Sequence, residues 1–160
     1  MRAQKRTFVR IGISVAVCLL IGALSGFATQ SSVNTWYPEL AKPAFTPPNW
    51  LFAPVWTLLY LLMGIAAGLV WARGLHHSWV KTALYYFGFQ LLVNGSWSLV
   101  FFGLQNPPVA LGVIAVLLVL IALTIRWFRV VSKPAAWMMV PYLFWVLFAS
   151  LLNLRIVQLN

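Results

Sequence analysis

Residues 109–128, VALGVIAVLLVLIALTIRWF, decide the fold class. The only charged residue in this stretch, Arg126, stands near its end. An α-helix needs about 20 consecutive, mostly apolar residues to cross the hydrocarbon core of a bilayer. The stretch therefore predicts a transmembrane helix.

Working outward, four other segments of the chain have a similar length and apolar character. Together with the first they predict spans over about 9–29, 50–71, 82–103, 109–128 and 135–155. The spans are almost uniformly apolar, whereas the strands of a membrane β-barrel alternate apolar and polar residues. The sequence therefore predicts an all-α integral membrane protein in which residues 1–160 form a single bundle of five transmembrane helices.

The composition excludes several classes of protein. Of the 160 residues, 62% are hydrophobic and 8% are charged, against about 45–50% and about 25% in soluble domains. Glu39 is the only acidic residue, so no pair of carboxylates is available for catalysis or metal binding. Cys18 stands alone, which excludes an intramolecular disulfide and a zinc–thiolate cluster. We predict no metal site, because the only histidines, His76 and His77, lie in a loop between spans.

The net charge of +10 would suggest a nucleic-acid partner in a soluble protein. Here the basic residues flank apolar runs, as they do in membrane proteins, so we expect no nucleic acid. Nine of the eleven basic residues belong to the N-terminal side of the membrane, and only Lys42 and Arg155 to the other. In a bacterial inner membrane this distribution predicts a cytoplasmic N-terminus, an external C-terminus and an external loop over residues 30–49.

Neutral polar and aromatic side chains share faces on three of the predicted spans. These faces carry Trp56, Tyr60, Gly64 and Gly68 on the second span, Gln90, Asn94, Trp97 and Ser98 on the third, and Tyr142, Trp145, Ala149 and Asn153 on the fifth. An amide that faced lipid would lack hydrogen-bond partners, so Gln90, Asn94 and Asn153 should point into the bundle.

Two interpretations of these faces are open. The amides could join neighbouring helices by hydrogen bonds. Alternatively, indole faces and a few amides could line a pocket for a large, flat, apolar molecule. A proton-coupled pump is disfavoured because no ionisable residue stands at mid-depth in a span.

Four motifs carry a resemblance to a known family. They are WYPELAKPAFTPP at residues 36–48, PVWTLLY at 54–60, QLLVNGSWS at 90–98 and PYLFWVLFA at 141–149. In combination they resemble the signature of the TspO/MBR family of tryptophan-rich sensory proteins and translocator proteins. The match runs from about residue 35 to the C-terminus.

The resemblance implies a five-helix homodimer that binds tetrapyrroles such as protoporphyrin and haem, needs no cofactor and has a sensory or stress-regulatory role. Loop 30–49 would form a lid over a pocket within the bundle. Carried over position by position, the ligand-binding residues are Trp36, Tyr37, Pro47, Trp56, Tyr60, Asn94, Trp97, Trp145 and Ala149.

The resemblance leaves two other functions open. One is transport of porphyrin or lipid, and the other is light-dependent breakdown of porphyrin with Trp56 and Trp145 as candidate catalytic residues. Animal members bind cholesterol through a motif at the end of the fifth helix that contains a tyrosine. Leu154 stands at that position here, so the resemblance does not extend to sterol recognition by this motif.

Overall fold

The computed structural model describes all residues, 1–160, and its regular elements are helical throughout. The α-helices are α1 (Arg2–Thr35), α2 (Asn49–Ala72), α3 (Ser78–Ser98), α4 (Pro107–Val131) and α5 (Lys133–Leu159). A 3₁₀ turn (Tyr37–Glu39) follows α1, and a π-helical turn (Leu99–Gly103) extends α3. The predicted all-α bundle of five helices is confirmed.

Four of the helices, α1, α2, α4 and α5, are long and apolar enough to cross a membrane on length and composition alone. The third helix is less apolar: it carries Lys81 and the buried amides of Gln90 and Asn94, among other polar residues. Since α2 ends at one side of the bundle and α4 begins at the other, α3 must cross between them. The five predicted spans therefore correspond to the five helices.

Helix α1 corrects two boundaries of the sequence prediction. It runs over 34 residues, about 50 Å at 1.5 Å per residue, so both ends extend beyond the expected span 9–29. The first six residues of the expected loop 30–49 are helical. No proline interrupts this segment before Pro38, and the hydroxyls of Thr29 and Thr35 donate hydrogen bonds to carbonyls one turn earlier. The irregular part of the loop is confined to residues 40–48.

Helices α4 and α5 are longer than expected at their starts for a local reason. The side chain of Asn106 accepts a hydrogen bond from the amide of Val109, and that of Ser132 accepts one from the amide of Ala135. Asparagine and serine are favoured at this position because they satisfy amides that the first turn leaves unpaired. Ser132 is the only residue between α4 and α5, which makes these two helices close antiparallel neighbours.

The helices close into a ring in the order α1, α2, α5, α4, α3. Helices α1 and α2 cross most closely at Gly64 and Gly68, where an added Cβ would collide with the backbone of Val15 and Ile11. This glycine pair therefore serves packing between α1 and α2 within the chain. At the same end, the Arg10 guanidinium donates to the carbonyl of Trp71 at 3.3 Å.

The interior is solid at this end of the bundle. Its fully buried side chains include Met63, Val70, Val80, Phe128 and Met139. Large apolar side chains such as Leu20, Leu92, Val119 and Phe144 instead point outward, as a lipid-facing surface requires. The opposite end of the bundle, beneath the loop, is hollow.

Candidate functional site

A cavity of about 550 Å³ lies within the bundle at the end opposite the N-terminus. Helices α1, α2, α3 and α5, the π-helical turn and Tyr37 contribute its walls. This volume is within the range of about 300–1,000 Å³ that is usual for small-molecule sites, and the lining is mostly apolar.

The structure brings most of the predicted ligand-binding residues to this one cavity. Its lining includes Tyr37, Trp56, Tyr60, Asn94, Trp97, Trp145 and Ala149. Trp36 and Pro47 are not in the lining. Trp36 instead packs edge-on against Phe101, with ring centroids 5.9 Å apart, and so supports the wall from behind. Whether the lining residues contact a ligand stays a prediction.

Trp56 is the centre of the aromatic wall. Its ring lies 5.7 Å from Tyr60 in a stacked arrangement, 6.3 Å from Trp97, and 6.4 Å from Trp145 at nearly a right angle. Offset and edge-to-face pairs at these distances are favourable arrangements of aromatic rings. The three indoles therefore form one continuous surface drawn from α2, α3 and α5.

Below the indoles, a chain of hydrogen bonds closes the floor of the cavity. Tyr60 donates to Asn94 Oδ1 (2.5 Å), Asn94 Nδ2 donates to the Tyr142 hydroxyl (2.7 Å), and Tyr142 donates to Gln90 Oε1 (2.8 Å). Both polar atoms of the Asn94 amide are thus engaged with tyrosines of neighbouring helices. Tyr142 is fully buried beneath the cavity and does not line it.

Asn153 forms a second connection between helices near the rim. Its Oδ1 accepts a hydrogen bond from Trp97 Nε1 at 3.1 Å, and its Nδ2 donates to the carbonyl of Pro107 at 2.9 Å. Asn153 therefore joins α5 to α3 and to the start of α4. As expected, the three amides point into the bundle, and Asn94 and Asn153 each join helices by hydrogen bonds.

Trp145 is distinguished by the environment of its indole nitrogen. Its Nε1 is the one buried side-chain nitrogen or oxygen without a hydrogen-bond partner. The ring lies among those of Phe52, Trp56 and Phe148, at centroid distances of 5.6–6.4 Å. An unpaired buried N–H has a free-energy cost of about 1–3 kcal/mol, which a ligand acceptor could remove.

Residues 40–48, the expected lid, lie beside the cavity, where the ring of Phe45 packs against that of Phe148 in the lining with centroids 6.1 Å apart. They are held by specific contacts. The Lys42 ammonium donates to the carbonyls of Tyr37 and Leu40 at 2.8 and 3.1 Å and lies 4.8 Å from the centre of the Tyr37 ring. Asn160 exchanges two hydrogen bonds with the backbone of Ala41, at 3.1 and 2.9 Å. Burial raises the pKa of the Tyr37 phenol above its ordinary value, so the phenol stays protonated at neutral pH.

The contribution of α1 was missed by the sequence analysis. Gly22, Ser25, Gly26 and Thr29 line the cavity, although α1 has no tryptophan and carries none of the motifs. The signal available was the pair of glycines four residues apart, which is suited to helix contact. Phe52, Phe101 and Phe148 were missed as well, because phenylalanine is common in any membrane span.

The cavity reaches the lipid-facing surface between α1 and α2. Ala23 and Gly26 of α1 and Ala53 and Thr57 of α2 line the cavity and are also exposed. Because these side chains are small, they leave a lateral opening beside Trp56. A ligand could therefore contact the bilayer directly.

The lining contains no histidine, cysteine, methionine or acidic side chain, which are common ligands of iron in proteins. Indole faces, phenyl rings, hydroxyls and amides remain. Such a surface suits a flat aromatic molecule with a few polar groups at its edge.

Sequence comparisons agree with this architecture. Residues 14–159 match the profile of the TspO/MBR family. The chain is 45% identical to the tryptophan-rich protein TspO of Archaeoglobus fulgidus, over 95% of this chain and 97% of that protein. It is 40% identical to the protein of the same name from Chlorobaculum tepidum, over 98% and 99% of the two chains. The translocator protein of Bos taurus is 35% identical, over 88% and 86%. The chain therefore belongs to the TspO/MBR family.

Proposed function

We propose that this membrane protein binds tetrapyrroles such as protoporphyrin or haem in the cavity beneath the lid, and that it has a sensory or stress-regulatory role. The observation that supports ligand binding is the continuous surface of Trp56, Trp97 and Trp145 on one wall of an apolar cavity. Aromatic contacts of this type contribute about 0.5–1.5 kcal/mol each beyond surface burial. The sensory role follows from the family resemblance.

The lining predicts that no residue of the pocket coordinates the iron of haem. Titrations that follow quenching of tryptophan fluorescence should compare protoporphyrin, haem and a sterol. We expect protoporphyrin to bind within about tenfold of haem, because a coordinate bond would favour haem by more than about 1.4 kcal/mol.

Two results of these titrations would contradict parts of the proposal. Replacing His76 and His77 together by alanine should leave both affinities unchanged, since these residues lie at the other end of the bundle. A selective loss of haem binding in that variant would show that a histidine coordinates the iron, and it would refute the prediction that haem binds without a protein ligand. Failure of both tetrapyrroles to quench would refute the proposed function.

The lateral opening between α1 and α2 favours transport of porphyrin or lipid as a second candidate function. An opening toward the bilayer would let an apolar ligand move between the lipid and the cavity. Accumulation of protoporphyrin in proteoliposomes, compared with protein-free liposomes, tests this function. Binding without accumulation would leave the sensory function as the better account.

We also propose that the N-terminus is cytoplasmic, that the C-terminus lies outside a bacterial inner membrane, and that the protein is a homodimer. Ser31 and Ser78 are exposed near opposite ends of the bundle. Single cysteines at these two positions, with Cys18 replaced, should be labelled from opposite sides, and position 31 by the external reagent. Labelling of position 78 alone from outside would refute the orientation. Chemical cross-linking in native membranes tests the dimer.

A further inference from the structure

A second cleft, remote from the cavity, lies on the outer surface of α4. It is shallow and open, and it is lined by Ala122, Ile125, Arg126, Arg129 and Val130. These residues belong to the last turns of α4, at the end of the bundle that carries the N-terminus. The aromatic cavity occupies the opposite end.

Both arginines of this cleft lack a partner in the protein. Arg126 and Arg129 are exposed, and like the other exposed arginines of this end, Arg2, Arg6 and Arg73, they donate no hydrogen bond to the chain; they differ in lining one cleft together on a membrane-spanning helix. Glu39, the only acidic residue, lies beyond the far end of α1 and cannot reach them. Any anion that neutralises this pair must come from outside the chain.

The position of the cleft along α4 indicates where that anion lies. Val116 and Val119, one to two turns deeper on the helix, are more than half exposed, so this face contacts acyl chains. Arg126 is five residues before the end of α4 at Val131, about 7.5 Å along the axis. The two guanidiniums are therefore placed near the headgroup level, with Ala122 about one turn deeper.

We propose that this cleft binds the phosphate of an anionic lipid headgroup. Guanidinium groups offer planar pairs of donors that match phosphate oxygens, and a basic pocket at the edge of a membrane span is suited to an acidic lipid. The small side chain of Ala122 leaves room for the first part of an acyl chain between Arg126 and Val119. The site is independent of the proposed tetrapyrrole site.

The test is native mass spectrometry of the delipidated protein with phosphatidylglycerol or phosphatidylcholine. The wild-type protein should prefer phosphatidylglycerol by about tenfold or more, since each basic residue near the surface contributes about 1 kcal/mol of attraction. The double variant Arg126→Gln/Arg129→Gln should lose this preference to within about twofold. The control, Arg2→Gln/Lys5→Gln, removes the same charge at the same end, where both side chains are exposed, and should keep it.

Two further measurements identify the lipid as the source of the phosphate. Ala122→Phe, at an exposed position, should weaken binding of phosphatidylglycerol but leave binding of glycerol phosphate unchanged. Inorganic phosphate should compete only weakly. The proposal is overturned if the wild-type protein binds both lipids equally, if the two double variants lose binding equally, or if inorganic phosphate binds as well as the lipid.

Discussion

The interior of the bundle is packed differently at the two ends of the α1–α2 contact. The end with the larger α2 side chains is the one that contains the cavity. Where α2 carries Gly64 and Gly68, an added Cβ would overlap the backbone of α1, and the interior is solid. Where α2 carries Trp56 and Tyr60, two of the largest side chains in the protein, the interior is hollow. The bundle is tightly packed where the α2 residues are small, and it encloses a cavity where they are large.

The geometry at Gly22 explains this difference. The Tyr60 ring lies directly against the α1 backbone there, and a Cβ on Gly22 would be 2.5 Å from the ring. The Tyr60 ring therefore lies between α1 and α2 at this level, beside the cavity. Helices can approach closely only where both surfaces are small.

The largest effect is expected from a substitution that disrupts the close α1–α2 packing at Gly64. Gly64→Ala places a methyl group against the backbone of Val15, and backbone cannot move aside as a flexible side chain can. We expect a loss of about 1–3 kcal/mol in stability, measured as a lower melting temperature in detergent. Gly12→Ala is the matched control, because a Cβ at Gly12 meets nothing within 4 Å. It should leave stability unchanged or raise it through better helix propensity. Equal melting temperatures would refute this account of the closed end.

The next largest effect is expected from removing the hydrogen bonds at the floor of the cavity, between the two ends of the bundle. Asn94→Leu removes the amide that joins the hydroxyls of Tyr60 and Tyr142. A buried hydroxyl left unpaired costs about 1–3 kcal/mol, so we expect a lower melting temperature without ligand and a similar loss of affinity for every ligand.

Ser96→Leu is the control for Asn94, since Ser96 is exposed on the same helix and bonds only to its own backbone. An unchanged melting temperature, with weaker binding only of ligands that have polar edges, would show that Asn94 serves the ligand and not the bundle.

A smaller effect is expected on the aromatic wall of the open end. Trp145→Phe keeps most of the stacking surface, so affinity for protoporphyrin should fall by less than about tenfold. Any light-dependent breakdown that uses this indole should stop, because a phenyl ring is much harder to oxidise. Absorption spectra under illumination measure this reaction. Trp137→Phe is the control, at a residue that is 73% exposed and outside the cavity. Equal product formation by both variants would exclude a photochemical role for Trp145.

The smallest effect concerns residues 40–48, the expected lid of the open end. Asn160→Ala removes the two hydrogen bonds to Ala41 and should raise the dissociation rate of protoporphyrin about threefold to tenfold. Stopped-flow fluorescence measures this rate. Gln158→Ala, which removes only a hydrogen bond from Arg155, should leave the rate unchanged. An unchanged rate in Asn160→Ala would show that this contact does not retain the ligand.

Many residues that line the cavity could be predicted from the second, third and fifth spans, each taken by itself. Spacing of three and four residues placed Trp56 with Tyr60, Asn94 with Trp97, and Trp145 with Ala149, and all six line the cavity. The role of α1 was not predicted, because its lining residues are small and its one local signal, Gly22 with Gly26, indicates helix contact and not a cavity. The sequence left open whether Asn94 joins helices or faces a ligand, and the structure shows hydrogen bonds to two tyrosines of neighbouring helices.

By itself, the sequence determined the membrane class, the number of helices and the face of each helix that carries polar or aromatic groups. These follow from apolar length and from the 3.6-residue period, which are local properties. Only the tertiary structure decided the ring order of the helices, the hollow above Tyr60 and the lateral opening between α1 and α2. Those features depend on which helices meet and how closely. That distance is set by pairs of residues far apart in the chain, such as Gly22 with Tyr60 and Val15 with Gly64.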